Sequence, residues 1–371
     1  MTSSFDSYRP ETGQRRKKRI EGTDATSGQR RSGRRRGAGE AEGMREANLV
    51  GDIEFESYYG RPVVKAPPWE ASIGAYLFLG GLAGGSALLS AGAALTGRPA
   101  LRRNTRLAAI GAVGIGTAAL IADLGRPERF LHMMRTVKVS SPMSLGTWVL
   151  SAFGTVSGAL AAVEVDRMLG ERIPLGPIRG MLNATEGAAQ VGQAALAPVL
   201  ATYTAALLGD TAVPTWAATR GHLPFVFASS AGLASGGVAM VTTPAPEAGP
   251  ARAMAVAGVV GEVVSMHQMK DAMHPLEREP LEEGVPGEMM KWSERLVIAG
   301  GIGTLFARRS RAIAVASGAA LVASSLLTRF GVLYAGLESV KDPRRVIEPQ
   351  KERLAARRAA GITDDSITTA G

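Results

Sequence analysis

The chain has 371 residues, 46% of them hydrophobic, with a formal net charge of +9, four histidines and no cysteine. The lack of cysteine excludes a disulfide scaffold, a cysteine-ligated zinc site and an iron–sulfur cluster held by this chain. Four histidines also disfavour a multi-haem protein. The positive charge indicates contact with nucleic acid or with an anionic membrane surface, and its distribution along the chain decides between them.

The N-terminal region carries dense basic runs, Arg15–Arg19 and Arg30–Arg36, diluted by Gly, Ser, Thr and Glu. Such a composition cannot build a core, so we expect residues 1–55 to form a disordered basic tail. A twin-arginine export signal is rejected because no apolar segment follows the arginines closely. No aromatic residue is interleaved with them, which favours anionic lipid on the cytoplasmic face over nucleic acid.

Beyond this tail, eight apolar stretches approach the roughly 20 residues that a helix needs to cross a bilayer. They are Ala71–Gly97, Leu107–Ala122, Val139–Val163, Gly187–Gly209, Gly221–Pro246, Ala253–Met269, Leu296–Ala307 and Ala312–Thr328. The second is closed by Asp123, with Arg106 expected to snorkel at its other end. The sixth is interrupted by Glu262, and the seventh is long enough only if residues 289–295 continue it.

The first, third and fifth stretches lack the polar stripe of an amphipathic helix, which disfavours a large soluble helical protein. The sequence therefore predicts an all-α integral membrane protein with eight transmembrane helices. An even number of spans places both termini on one side. The basic tail favours the cytoplasmic side of the cell membrane, although loops on the opposite face also carry arginines.

Two glycine-rich stretches resemble each other, Gly81–Gly85 (GLAGG) and Gly232–Gly236 (GLASG). They lie four spans apart, as in a duplicated four-helix unit. Alternatively, small residues recur wherever membrane helices pack closely. The sequence leaves both interpretations open, and under either we expect these glycines to serve packing rather than ligand contact.

The loop between the second and third stretches reads Asp-Leu-Gly-Arg-Pro from Asp123, then Ser-Pro-Met-Ser-Leu-Gly-Thr-Trp from Ser141. Gly125 and Pro127 end one helix, and Ser144 is expected to cap the next. These motifs resemble the NrfD/PsrC family of membrane subunits, the integral partners of polysulfide and nitrite reductases. Further motifs match in order over residues 55–350, namely 69–85, Tyr203–Thr204, Pro214–Trp216, 329–336 and Asp342–Pro343.

This resemblance implies two four-helix bundles over residues 56–338, followed by a polar C-terminal tail at 339–371. It also implies a quinone, with menaquinone the expected species, bound near one membrane face. Electrons would pass between that quinone and a ferredoxin-like iron–sulfur subunit joined to a molybdopterin catalytic subunit, so that substrate chemistry lies on a partner chain. The residues themselves agree, since a chain without cysteine or a plausible pair of intramembrane histidines is expected to hold no metal or haem.

By similarity, the quinone slot lies between the start of the first span and the fourth span, with Trp69, Tyr76 and Tyr203 as its quinone-binding residues. Tyr203 matches a family tyrosine assigned to the headgroup, although anchoring at the membrane interface would also explain it. Tyr76 stands where a relative carries histidine, and a phenol can still donate to a quinone carbonyl.

Two carboxylates are the candidate catalytic groups. Asp123 is the candidate proton acceptor, with an ion pair to Arg126 as the alternative. Arg126 and Arg129 are assigned to structure and partner docking. Glu262 lies deep in the sixth stretch, where a charge is unfavourable and therefore indicates function. A protonated carboxyl bonded to a neighbouring helix would also account for it, and His267 is expected to lie on another face of that helix.

Two other functions fit parts of the pattern. An internal repeat with intramembrane carboxylates also suits a secondary transporter or an ion-translocating module. A membrane anchor that recruits a partner without binding quinone is the third possibility.

Overall fold

A computed structural model describes residues 62–138 and 140–362, and this part of the chain is helical with no strand. The predicted basic tail at residues 1–55 and the last residues of the polar C-terminal tail lie outside the described residues.

The first half of the described chain contains four long helices. They are α1 (Ala71–Leu95), α2 (Pro99–Asp123), α4 (Pro142–Met168) and α5 (Pro177–Gly209). A short helix, α3 (Glu128–Met134), lies between α2 and α4. Proline stands in the first turn of α2, α4 and α5, where its missing N–H breaks no helical bond.

The second half contains four more long helices. They are α7 (Leu223–Thr242), α8 (Gly249–Ala272), α10 (Gly284–Phe306) and α11 (Arg311–Ser339). Short helices α6 (Pro214–Ala218) and α9 (Pro275–Arg278) precede α7 and follow α8, and a 3₁₀ turn, Glu279–Leu281, follows α9. The predicted polar C-terminal tail contains a further helix, α12 (Arg344–Ala359), which packs on α9.

Helix contacts follow the same pattern in the two halves. In the first half α1 packs on α2 and α5, while α4 packs on α2 and α5. In the second half α7 packs on α8 and α11, while α10 packs on α8 and α11. The halves meet mainly where α1 and α5 contact α7 and where α1 contacts α11.

Six of the eight long helices are long and apolar enough to cross a membrane: α1, α2, α4, α5, α7 and α11. The other two, α8 and α10, contain the sixth and seventh predicted stretches, where charged residues interrupt the apolar sequence. The chain is thus a multi-pass membrane protein with six candidate spans in its described part.

Small residues allow the central helices to approach closely. A Cβ added at Gly84 would lie 2.6 Å from the Ala197 carbonyl of α5, and one at Gly236 would lie 2.7 Å from the Ala251 carbonyl of α8. Both glycines belong to the two similar stretches in the sequence. Their expected packing role is therefore confirmed, since any side chain there would push neighbouring backbones apart.

Two ends of the helical domain can be distinguished. At the Trp69 end, α1, α4, α7 and α10 begin, and the indole of Trp69 stacks on that of Trp216 from α6. At the Arg106 end, Arg98 donates to the Glu247 carbonyl, and Glu247 accepts from the Ala100 and Leu101 amides at 2.7 and 3.2 Å. These bonds tie the start of α2 to the loop between α7 and α8.

Arg106 does not snorkel, and that prediction is wrong. Its side chain is 2% exposed and points inward, where it pairs with Glu164 at 3.0 Å and Glu186 at 2.6 Å and donates to Gln190. The reason is that α2, α4 and α5 extend beyond the apolar stretches that predicted them. The charged residues that flank those apolar stretches therefore lie on the helices themselves, and they meet between α2, α4 and α5 at the Arg106 end.

Candidate functional site

The two tryptophans at the Trp69 end connect distant parts of the chain. The ring centroids of Trp69 and Trp216 are 5.3 Å apart with an interplanar angle of 26°. Trp216 is fully buried and donates its indole N–H to the Val332 carbonyl of α11 at 2.8 Å. Its ring packs on Gly336, where a Cβ would overlap the indole. Trp69 is therefore fixed by a stack rather than free to line an open slot.

Asp123 ends α2 next to the first turn of α1. The Ser72 hydroxyl donates to Asp123 Oδ1 at 2.7 Å, and the carboxylate is half-buried. Two residues later Gly125 adopts φ +70°, a left-handed conformation that glycine accepts without strain, so the chain can turn sharply after the helix. Asp123 thus lies where an aqueous proton can reach it and where α1 holds its orientation.

Tyr76 lies one turn of α1 deeper than Ser72. It is buried, and its ring lies against α2 at Gly116, where an added Cβ would be 3.7 Å from Tyr76 Cδ2. Among the described residues the structure gives the Tyr76 hydroxyl no hydrogen-bond partner. A buried phenol of this kind retains a donor for a ligand oxygen.

Tyr203 is positioned by the motif that begins at Ser141. Its half-buried ring occupies the space where a side chain on Gly146 of α4 would stand, and it packs in the same apolar cluster as Tyr76. The described residues also supply no partner for the Tyr203 hydroxyl. Glycine at position 146 is therefore what allows the tyrosine ring to lie flat on α4.

The helix cap in this motif differs from the prediction. Ser141, not Ser144, caps α4, because the Ser141 side chain accepts the Ser144 N–H at 3.4 Å. The Ser144 hydroxyl instead donates to the Thr136 carbonyl and accepts from the Lys138 amide. The two serines together hold the loop before α4 close to the helix start.

Helix register brings the phenols and the carboxylate to one end of the first four helices. Gly80 of α1 faces the Leu200 carbonyl of the antiparallel α5, so one turn earlier Tyr76 reaches the level of Tyr203. The Ser72–Asp123 bond lies one turn nearer the end. Two phenol donors about one turn from a half-buried carboxylate are groups that can bind a carbonyl-bearing ring and exchange protons with water.

A surface groove of about 660 Å³ lies elsewhere at the Trp69 end. The segment 62–67 and the residues Leu337, Val340 and Lys341 line it. Neither Tyr76 nor Tyr203 belongs to this groove, so it does not coincide with the predicted slot.

The two arginines assigned to partner docking are exposed beyond α2. Arg129, at the start of α3, donates to the Leu124 carbonyl at 3.1 Å. This bond ties the start of α3 to the end of α2, while α3 itself packs on α4. Arg126 lies in the turn between these helices, on the same exposed side.

Glu262 does not belong to this constellation. It is buried on α8 in the second half, where Thr328 of α11 donates to its Oε1 at 2.6 Å. The predicted bond to a neighbouring helix is therefore present. His267 faces away, 79% exposed and 3.2 Å from Asp271, as its position on the helix predicts.

The other three histidines lie within a helix or directly before one. His274 caps α9 and contacts Glu352 of α12 at 3.1 Å, and His222 begins α7. His132 lies in α3. No group of three metal-ligating side chains occurs among the described residues.

Sequence reasoning missed the ion pairs around Arg106 and the central position of Arg329, which is fully buried on α11. Charges at the edge of an apolar stretch were taken to mark the membrane surface. Arg329 had a detectable signal, because it follows the apolar stretch Ala312–Thr328 directly and is followed by further apolar residues. A charge inside such a run indicates a buried partner.

Comparison with known proteins agrees with this architecture. The family model for polysulphide reductase NrfD matches residues 63–249, half of the chain, covering α1 to α7. No curated protein matches the sequence. The motif at 329–336 lies outside the matched residues, yet it supplies the carbonyl and the glycine that hold Trp216. The chain belongs to the NrfD family of polysulphide reductase membrane proteins.

Proposed function

We propose that this protein is the membrane subunit of a molybdopterin oxidoreductase complex and that it binds a quinone, menaquinone by preference, at the Trp69 end of its first four helices. The family to which the chain belongs supports the complex. The single observation that carries the site is the pair of phenol hydroxyls of Tyr76 and Tyr203, which have no hydrogen-bond partner among the described residues and lie at one depth, about a turn from Asp123.

The residues present fit a quinone. Its two carbonyl oxygens need hydrogen-bond donors within an apolar slot, and a bound quinone supplies a two-electron, two-proton couple. Tyr76 and Tyr203 donate to the carbonyls, Ser72 orients Asp123, and Asp123 Oδ2 holds the proton exchanged with water. Trp69 contributes by closing the slot through its stack on Trp216, rather than by touching the headgroup.

All eight long helices cross the membrane in this proposal, as two four-helix bundles. The repeated contact pattern of the two halves supports it, although α8 and α10 are the less apolar helices. The Trp69 end faces the cytoplasm together with both termini. An iron–sulfur subunit docks there, against Arg126 and Arg129, and joins this chain to the molybdopterin subunit.

A transporter of the alternating-access type is less well supported. Such proteins break two equivalent helices symmetrically near mid-membrane. Within the described part, α5 alone among the long helices has a proline beyond its first turn, Pro198, and its counterpart α11 has none.

The test is a binding titration of a short-tailed naphthoquinone on the purified chain in nanodiscs, followed by tryptophan fluorescence. Tyr203→Phe keeps the ring and removes one hydrogen bond of ~1–2 kcal/mol, so we expect roughly 5–30-fold weaker binding. Tyr334→Phe is the matched control, because it removes the same hydroxyl from a tyrosine outside the proposed slot. Tyr334 lies on α11, edge-on to Phe330. Equal affinity of all three proteins would refute the assigned site.

A further inference from the structure

A chain of hydroxyl groups ends on Glu262 in the middle of the second half. Thr328 donates to Glu262 Oε1 at 2.6 Å, Ser293 of α10 is 2.7 Å from the Thr328 hydroxyl, and Ser324 is 2.9 Å from that of Ser293. All of these side chains are buried. The chain therefore connects α8, α10 and α11 through side-chain oxygens alone.

Two more hydroxyls complete the polar cluster. Ser230 of α7 lies beside the Glu262 carboxyl, and its hydroxyl is 2.8 Å from that of Ser325 on α11. Helices of the second half thus direct hydroxyl groups at one carboxyl from two sides. In a membrane interior such a convergence is unfavourable unless the groups satisfy one another or perform a function.

Arg329 lies next to this cluster and is only partly satisfied. Its side chain is 0% exposed. Nη2 donates to the Phe227 carbonyl at 2.7 Å, and the guanidinium lies 3.6 Å from the centroid of the Phe227 ring. Nε and Nη1 of Arg329 and Oε2 of Glu262 have no hydrogen-bond partner within the described residues.

The unpartnered atoms are complementary: two donors belong to a cation, and one acceptor belongs to the carboxyl that attracts it. Leaving such atoms bare in a buried site is strongly unfavourable. An internal water, which offers both donors and acceptors, satisfies all three. A metal cation is disfavoured because the guanidinium charge would repel it.

We propose that Glu262 is a buried proton-binding site whose Oε2 is bridged by water to Arg329 and whose Oε1 receives protons through the Ser324–Ser293–Thr328 hydroxyls. Uptake is a concerted hop. Thr328 passes its hydroxyl proton to Glu262 and takes one from Ser293, which takes one from Ser324. Ser324 in turn takes a proton from a hydronium ion, which becomes water, so that each hydroxyl ends as it began and one proton is added to the Glu262 carboxylate. No electron moves and no heavy-atom bond breaks.

The charged groups around Glu262 support a proton rather than another ligand. Arg329 is the charge that faces it from α11, and α7 contributes only Ser230. The ionisable side chains of α10 are exposed and point elsewhere: Glu288, Lys291, Glu294 and Arg295. His267 on α8 is exposed as well.

This site is separate from the proposed quinone slot. Glu262 lies ten residues before the end of α8, about 15 Å from the Trp69 end. It is formed by the second half of the chain, whereas Tyr76, Tyr203 and Asp123 belong to the first. The proposal therefore stands or falls independently of quinone binding, and quinone-free protein suffices to test it.

Infrared difference spectroscopy of the full chain in nanodiscs, recorded between about pH 6 and pH 9, where exposed carboxyls stay ionised, tests the proposal directly. Wild type should show the C=O stretch of a protonated carboxyl that titrates and shifts in D₂O. Glu262→Gln should abolish this band. The matched control Glu288→Gln, at an exposed glutamate paired with Lys291, should retain it.

Thr328→Val guards against misfolding of the Glu262 variant, since it keeps the carboxyl and removes one hydrogen bond. It should retain the band but change its frequency and its titration midpoint. A titrating band that survives in Glu262→Gln, a wild type without such a band, or a Thr328→Val spectrum identical to wild type would overturn the proposal.

Discussion

Asp123 shows how one side chain acquires its setting from two helices. The sequence offered Arg126 as its partner, since the two lie in one motif. The structure adds Ser72, 51 positions earlier, because the start of α1 and the end of α2 meet at the Trp69 end. A contact across helices cannot be read from the spacing of a motif.

Asp123→Asn separates proton handling from support of the fold. Asparagine still accepts the Ser72 hydrogen bond but cannot take up a proton. We expect a melting temperature close to wild type, with quinone-dependent turnover of the intact complex reduced by about 100-fold or more and an altered pH profile.

The control is Ser72→Ala, which keeps the carboxylate and removes one hydrogen bond of ~1 kcal/mol. It should lower stability slightly and keep most of the turnover. If Asp123→Asn lowers the melting temperature and leaves activity per folded molecule unchanged, Asp123 is structural.

For Glu262, the sequence correctly predicted a hydrogen bond to a neighbouring helix. An acidic residue inside an apolar stretch requires a partner, and Thr328 of α11 is that partner. Arg106 was predicted worst, because the apolar stretch Leu107–Ala122 begins just after it while the helix begins at Pro99. Hydropathy finds the apolar middle of a helix and not its ends.

At the scale of elements, α4 acts as a surface for the ring of Tyr203. Gly146 is the position on α4 that makes this possible, since a Cβ there would overlap the ring. The resemblance suggested that the Ser141 motif mattered, but its physical role became visible only once α4 and α5 were placed side by side.

Gly146→Ala should therefore displace Tyr203 and impair the site without touching its chemistry. We expect overpacking of about 1–3 kcal/mol, seen as a lower melting temperature and as at least 5-fold weaker naphthoquinone binding. Gly154→Ala on the same helix is the matched control, since nothing lies within 4 Å of the added methyl group. Equal binding by the two variants would show that the position of Tyr203 is not critical.

The Arg106 cluster should hold α2, α4 and α5 together at the opposite end. Arg106→Met removes the buried counter-ion of Glu164 and Glu186, although Arg102 stays 2.7 Å from Glu164 and Arg167 stays 2.5 Å from Glu186. We therefore expect the loss typical of hydrogen bonds to a charged group, about 1.5–3 kcal/mol. Thermal unfolding in detergent measures this loss. Arg103→Met, at an exposed neighbour, should change stability by less than about 0.5 kcal/mol.

Binding of naphthoquinone should remain intact in folded Arg106→Met protein, because the cluster and the Tyr76–Tyr203 pair lie at different ends of the helices. A stability equal to that of Arg103→Met would mean that Arg102 and Arg167 suffice as counter-ions for the two carboxylates.

At the scale of the whole molecule, the sequence correctly predicted a helical multi-pass membrane protein and its family. The similar stretches Gly81–Gly85 and Gly232–Gly236 lie on α1 and α7, which contact each other where the two halves meet. The hydropathy pattern did not predict how the two halves of the chain pack against each other. The halves meet mainly through α1, α5, α7 and α11. Trp216 adds to this junction through Trp69, Val332 and Gly336, residues too distant in the chain for a local pattern to connect.

The central claim is that a quinone binds between α1 and α5 at the Trp69 end. The most direct measurement is photolabelling of the membrane-embedded chain with an azido-naphthoquinone, followed by peptide mass spectrometry with and without excess unlabelled quinone. We expect competable labels on the α1 peptide around Tyr76 and on the α5 peptide around Tyr203. Competable labels confined to α8, α10 or α11, or no competable label at all, would contradict it.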